Sequence, residues 1–160
     1  MQPTIYVLIY LSAIVAANLS SAYFGPGASI VNAFLFIGLD LTSRDKLHDA
    51  WGGRGLLWKM ATLIAAGSAV SYALNRNAGA IALASCAAFA AAAITDGIIY
   101  QLLRGKSRMV KINGSNIPSA LVDSLIFPTI AFGGFMPLIV MGQFVAKVAG
   151  GFLWSLVLRK

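Results

Sequence analysis

Residues 116–132, NIPSALVDSLIFPTIAF, read as a membrane-crossing helix with one carboxylate, Asp123, set among apolar side chains. A charge at that depth costs about 2.5–3.5 kcal/mol on insertion scales. Such a group faces a partner or a water-filled site. Asn116, Ser119, Asp123 and Phe127 fall at i, i+3, i+7 and i+11, so one helical face carries the polar groups and an aromatic ring. Pro128 removes a backbone donor, and the freed carbonyl suits a helix that lines a cavity. The plainer alternative is an aspartate that only pins helix packing.

Composition sets the class. The 160 residues are 59% hydrophobic and 11% charged, and mean hydropathy is +0.81. A soluble domain carries about 25% charged residues. Long apolar runs without strand-like alternation predict an all-α integral membrane protein, a compact bundle of six helices in one domain over residues 1–160. The net charge of +7 does not mark a nucleic-acid binder. The basic residues lie just outside the apolar runs, as topology signals do, and no basic stripe with interleaved aromatics is present. Cys86 is the single cysteine and sits in an Ala-rich run, which suits an inert packing residue. No cleavable signal peptide is expected, because the N-terminus lacks Lys and Arg and residues 3–22 are long enough to span.

Taken in order, helix 1 covers residues 3–22. Ala13, Ala17 and Ser21 form a small-residue face on it, and Asn18 lies beside that face, able to hold a ligand or to bond across helices. Residues 24–27, FGPG, form a turn. Helix 2, residues 28–42, is short for a bilayer, and Asn32, Phe36 and Asp40 share one face. Arg44 follows Asp40 at i+4 and can pair with it at the cytoplasmic end. Residues 43–54 are a mixed-charge interfacial segment holding His48, the only histidine, and Trp51, an interfacial anchor. No metal site is expected there, since no ligand spacing accompanies His48. Helix 3 covers residues 55–74 and helix 4 residues 80–103, with Asp96 breaking an Ala-rich packing surface and Tyr100 one turn later. Residues 104–115 read as a basic loop before helix 5. The Gly133–Gly134 turn leads to helix 6, residues 136–158, where Gln143, Lys147, Gly151 and Trp154 lie near one face. Lys147 is about 18 Å from Arg159 along that helix, too far to snorkel easily, so it needs a buried partner, Asp123 or Asp96.

With six helices, both termini and the loops after helices 2 and 4 share one side. That side holds Arg44, Lys46, Arg54, Arg104, Lys106, Arg108, Lys111, Arg159 and Lys160, against Arg76 alone on the other. The positive-inside rule predicts cytoplasmic termini. Two three-helix halves split near Asn75 would insert in opposite orientations, each with a short, Asp-bearing middle helix, the pattern of a transport site at a repeat interface. Small-residue faces on helices 1 and 4 suit a homo-oligomer.

DLTSR at 40–44, DGIIYQLLR at 96–104, VDSLIFPTIAF at 122–132 and Lys147 in the last helix together resemble the vitamin uptake transporter family, and within it the YhhQ-like queuosine-precursor transporters. The resemblance covers nearly the whole chain in order. It implies a bacterial-type inner-membrane importer of 7-cyano-7-deazaguanine (preQ0), and of its aminomethyl analogue (preQ1), with functional positions at Asn18, Asp40, Arg44, Asp96, Asp123 and Lys147. The chain departs from the pattern at Ala93, where a glutamine is expected three residues before the helix-4 carboxylate.

The chemistry suits that substrate. A deazaguanine offers a ring N–H and an exocyclic amine side by side, which a carboxylate can accept. Its carbonyl suits Lys147, Asn18 or Gln143 as donors. Phe127, Phe36 or Trp154 can stack on the flat ring. The candidate substrate-binding set is therefore Asp123, Asp96, Lys147, Asn18, Asp40, Phe127, Gln143 and Asn32, with no cofactor. The rival reading is a scaffold or assembly subunit in which the charges only pair. A membrane enzyme lacks support, as no nucleophile–base pair, metal cluster or phosphate loop is present.

Overall fold

A computed structural model describes residues 3–36 and 55–157. Asp40, Arg44, His48, Trp51, Arg159 and Lys160 lie outside the described residues, as does the side chain of Trp154. The helices are α1 (Pro3–Phe24), α2 (Pro26–Phe36), α3 (Leu56–Leu74), α4 (Gly79–Leu102), α5 (Arg108–Ala131) and α6 (Pro137–Val157), with a 3₁₀ turn at Arg76–Ala78 before α4. Thr4–Phe24, Leu57–Leu74 and Arg76–Leu102 are each long and apolar enough to cross a membrane, and Pro26–Phe36 and Pro137–Gly150 are shorter apolar helices. The all-helical membrane architecture expected from composition is the one found.

Local chemistry explains the breaks. Gly25 adopts φ 77, a left-handed conformation that favours glycine, and Pro26 follows as the first residue of α2. The chain doubles back there: Asn32 Nδ2 lies 3.1 Å from the Ala17 carbonyl oxygen and 2.8 and 3.0 Å from the Ser20 and Ser21 hydroxyls. Gly133, φ 73, provides the turn expected between α5 and α6. At the α3–α4 corner Asn75 is extended and its side chain accepts from the Asn77 N–H, while the Arg76 guanidinium sits 4.6 Å from the Tyr72 ring centroid.

One expected boundary is corrected. Helix 5 is not a short element opening at residue 116. It begins at Arg108 and runs 24 residues, about 36 Å. The basic segment is a loop only as far as Ser107, and its second half is helical. Polar composition hid those first turns. Gly114 fits inside the helix because the Leu103 side chain packs over it; an added Cβ would lie 2.7 Å from Leu103 Cδ1. Pro118 and Pro128 both sit within α5, each removing one helical N–H.

α4 packs most extensively against α5, and α3 lies against both α1 and α4. Tyr10, Met60 and Ile64 form one core, joined by Ile14, Cys86 and Phe89. Ile81, Ala84 and Ala131 form a second, with Phe127 and Phe132 against it. The Ala-rich run of α4 is a packing surface: Ala82, Ala84 and Ala88 are buried. The Ala13–Ala17–Ser21 face of α1 meets α2, where Asn32 bonds Ala17 and Ser21, and its small side chains also form part of a cavity wall.

Candidate functional site

That cavity, about 330 Å³, lies among all six helices. Its volume is at the lower end of the range of about 300–1,000 Å³ typical of small-molecule sites. Asn18 enters from α1, Asn32 and Phe36 from α2, Ile64 from α3, Ser85 and Phe89 from α4, Asp123 and Phe127 from α5, and Gln143 and Lys147 from α6. Six of the eight residues singled out in the sequence therefore line one space. Asp96 lines a neighbouring, smaller cavity, and Asp40 is outside the described residues.

The centre of the wall is an ion pair. Lys147 Nζ donates to Asp123 Oδ2, with 14% and 28% of the two side chains exposed. Lys147 also donates to Ser124 Oγ at 3.1 Å and to Gln143 Oε1 at 3.3 Å. An ammonium has three N–H bonds, so these acceptors use all of them. Gln143 is 1% exposed, and its Nε2 donates to Ser29 Oγ at 2.7 Å. Ser29 in turn donates to the Pro26 carbonyl at the start of α2. One polar chain thus joins α2, α6 and α5. It ends on Asp123, whose Oδ1 accepts no hydrogen bond from any described residue.

A second junction forms around Asn18, which is buried. Its Nδ2 donates to Ser71 Oγ on α3 at 3.2 Å, and its Oδ1 accepts from Ser85 Oγ on α4 at 2.7 Å. Ser71 donates onward to the Gly67 carbonyl. Asn18 therefore bonds across three helices and still borders the cavity, with one of its two N–H donors uncommitted among the described residues. Asn32 is different. Its amide is engaged by Ala17, Ser20 and Ser21 of α1, so its role at the wall is to close the α1–α2 hairpin. Phe127 meets Phe132 edge-on, ring centroids 6.3 Å apart and planes at 88°, which fixes one ring at the cavity.

Ser29, Ser85, Ser124 and Phe89 were not singled out in the sequence. Serine is common in membrane helices, and Ser85 and Phe89 lie in the Ala-rich run that reads as packing. The available signal was spacing: Ser85, Phe89, Ala92 and Asp96 fall at i, i+4, i+7 and i+11, one face of α4. Among the described residues no group of His, Cys, Asp or Glu is arranged to hold a metal ion.

No curated protein and no solved structure matches the chain. Residues 4–158 do match a family model, described as "putative vitamin uptake transporter". That match spans nearly every residue, including all six helices and each residue of the cavity, and the chain belongs to the vitamin uptake transporter family.

Proposed function

We propose that this protein imports queuosine precursors, 7-cyano-7-deazaguanine foremost and its aminomethyl analogue second, and reads the base at Asp123. The observation that carries the reading is the half-committed carboxylate: Oδ2 is held by Lys147, Oδ1 has no partner among the described residues, and Asp123 lines a 330 Å³ cavity. The ring N–H and exocyclic amine of a deazaguanine are adjacent donors, and a carboxylate has acceptor capacity for both beside Lys147. The free N–H of Asn18 suits the base carbonyl. Lys147 is already saturated, so its part is to orient the carboxylate rather than to meet the ligand. Phe36, Phe89 and Phe127 offer ring faces to a flat heterocycle. The Asp123–Lys147 pair has no net charge, which favours a neutral base.

The saturated Lys147 also fits a scaffold whose charges only pair, but such a scaffold has no need of a polar-lined cavity of ligand size beside the pair. The reading places the chain in a bacterial-type inner membrane. The test is uptake of labelled 7-cyano-7-deazaguanine by cells lacking their own precursor synthesis and transport. Uptake above the empty vector is expected. Well-expressed protein that gives none would refute the assignment.

A further inference from the structure

We infer that Asp96 anchors a site for a small monovalent cation, the sodium ion, in the cavity beside the main one. This cavity is about 150 Å³ and is lined by Asp96, Asn116, Ser119, Leu57, Met60 and Phe89. It is too small for a bicyclic base by the usual size of ligand sites, but has room for an ion with a few waters. The carboxylate atom Asp96 Oδ1 is buried and accepts no hydrogen bond from any described residue. A buried, unsatisfied carboxylate oxygen is costly, and a native structure retains one where an ion or a water resolves it.

The other polar groups are of the matching kind. Asn116, which is exposed, offers an amide oxygen, and Ser119 a hydroxyl that donates to the Asn116 carbonyl at 3.0 Å and keeps its own lone pairs for a ligand, the hard oxygen donors that an alkali cation prefers. No other charged side chain lines the cavity among the described residues. α3 contributes Leu57 and Met60, α4 contributes Phe89, Ala92 and Ala93, and α5 contributes Asn116 and Ser119. Lys59, next to Met60 along α3, and Tyr100, one turn beyond Asp96, do not line it. The main cavity has its own cation, Lys147, on its own carboxylate; here the carboxylate has none among the described residues.

The placement couples the two spaces. Phe89, Ala92 and Ser119 border both cavities. Ser119 lies one turn before Asp123 on α5, so an ion drawn to Asp96 acts on a wall that the larger cavity shares. The inference concerns cation binding and is tested without any transport substrate, so it stands or falls apart from the deazaguanine reading.

The experiment uses the full chain in lipid nanodiscs. Thermal unfolding is followed while sodium chloride replaces choline chloride at fixed ionic strength and pH. The wild-type midpoint should rise saturably, Asp96→Asn should abolish the rise, and Asn116→Ala or Ser119→Ala should move half-saturation at least about tenfold. Identical sodium responses in wild type and Asp96→Asn, including none in either, overturn the inference. A measurement on the wild type alone guards against a variant that does not fold. Carbodiimide labelling of Asp96, read by mass spectrometry at fixed pH, should be suppressed by sodium but not by choline, and labelling indifferent to sodium refutes the site.

Discussion

Lys147 on α6 donates to Asp123 on α5 and spends its remaining hydrogens on Ser124 and Gln143, so the ammonium is saturated while the carboxylate is not. This asymmetry makes Lys147 structural and leaves Asp123 chemically available. Lys147→Met removes the cation and leaves Asp123 without its partner. Breaking a fully buried pair costs about 3–5 kcal/mol, and the partial exposure of this one lowers the expectation to about 1–3 kcal/mol. Adding Asp123→Asn should restore most of that loss, since the uncompensated charge is gone. Unfolding midpoints of wild type, both single variants and the double variant measure the coupling, and additive effects would mean the pair is not energetically linked.

Asp123→Asn alone keeps the shape of the side chain but replaces an acceptor oxygen with a donor. Losing a charged hydrogen-bond partner to buried ligand donors costs about 1.5–3 kcal/mol, or roughly tenfold to a hundredfold in affinity. Competition between labelled and unlabelled 7-cyano-7-deazaguanine in uptake assays should show that weakening at normal expression. Unchanged affinity would make Asp123 a packing residue.

Much of this was legible in the chain. Lys147 lies too far from the end of its helix to snorkel easily, and the cost of a lone buried ammonium requires a carboxylate partner, which is Asp123. The face Asn116–Ser119–Asp123–Phe127 lines cavities because α5 is helical with the expected period. The start of α5 was not legible: Arg108, Lys111 and Asn113 carry no apolar periodicity in the sequence, and the packing of α5 on α4, with Leu103 over Gly114, is not readable from it. Nor was the division of labour between the two aspartates. Asp96 and Asp123 look alike in sequence, each in a helix with an aromatic one turn later. Only packing gives one a lysine and leaves the other with an orphaned oxygen. Asn32 and Asn18 were likewise equivalent on paper, and the hairpin at Gly25 consumes the amide of Asn32 alone.

Asn18 joins α1 to α3 and α4 through Ser71 and Ser85. Interhelical hydrogen bonds in membranes average about 0.6 kcal/mol and reach about 1.7. Asn18→Ala should therefore lower stability by about 1–3 kcal/mol, as it removes both bonds and leaves two hydroxyls to find new partners. Ser85→Ala should cost less than half of that. Detergent unfolding curves of the two variants give the comparison, and equal losses would mean that the Ser71 bond contributes nothing.

Gly67 of α3 is buried against Ile14 of α1, and an added Cβ would lie 2.8 Å from Ile14 Cγ2 and 3.1 Å from its Cβ. Those atoms sit at the branch point of a stiff side chain and cannot swing away. Gly67→Ala should destabilise by about 1–3 kcal/mol, and Ile14→Ala in the same chain should recover part of the loss. Gly97→Ala is the control, because nothing lies within 4 Å of its added Cβ. Equal midpoints for the Gly67 and Gly97 variants would show that α1 and α3 are not closely packed at this point.

Topology gives the last expectation. Arg104 and Lys106 occupy the α4–α5 connection, and Arg76 the α3–α4 corner, so these two turns lie on opposite sides of a spanning α4. The sequence adds Arg44, Lys46, Arg54, Arg159 and Lys160 to the side of Arg104 and no further Lys or Arg to the side of Arg76. An excess of Lys and Arg marks the cytoplasmic face. A reporter active only in the cytoplasm should therefore work when fused after Lys160, and a second placed in the α3–α4 corner beside Asn77 should not. Strong activity of a periplasm-only reporter after Lys160 would invert the orientation, and activity of the same reporter type at both positions would mean that the chain between them crosses the membrane an even number of times.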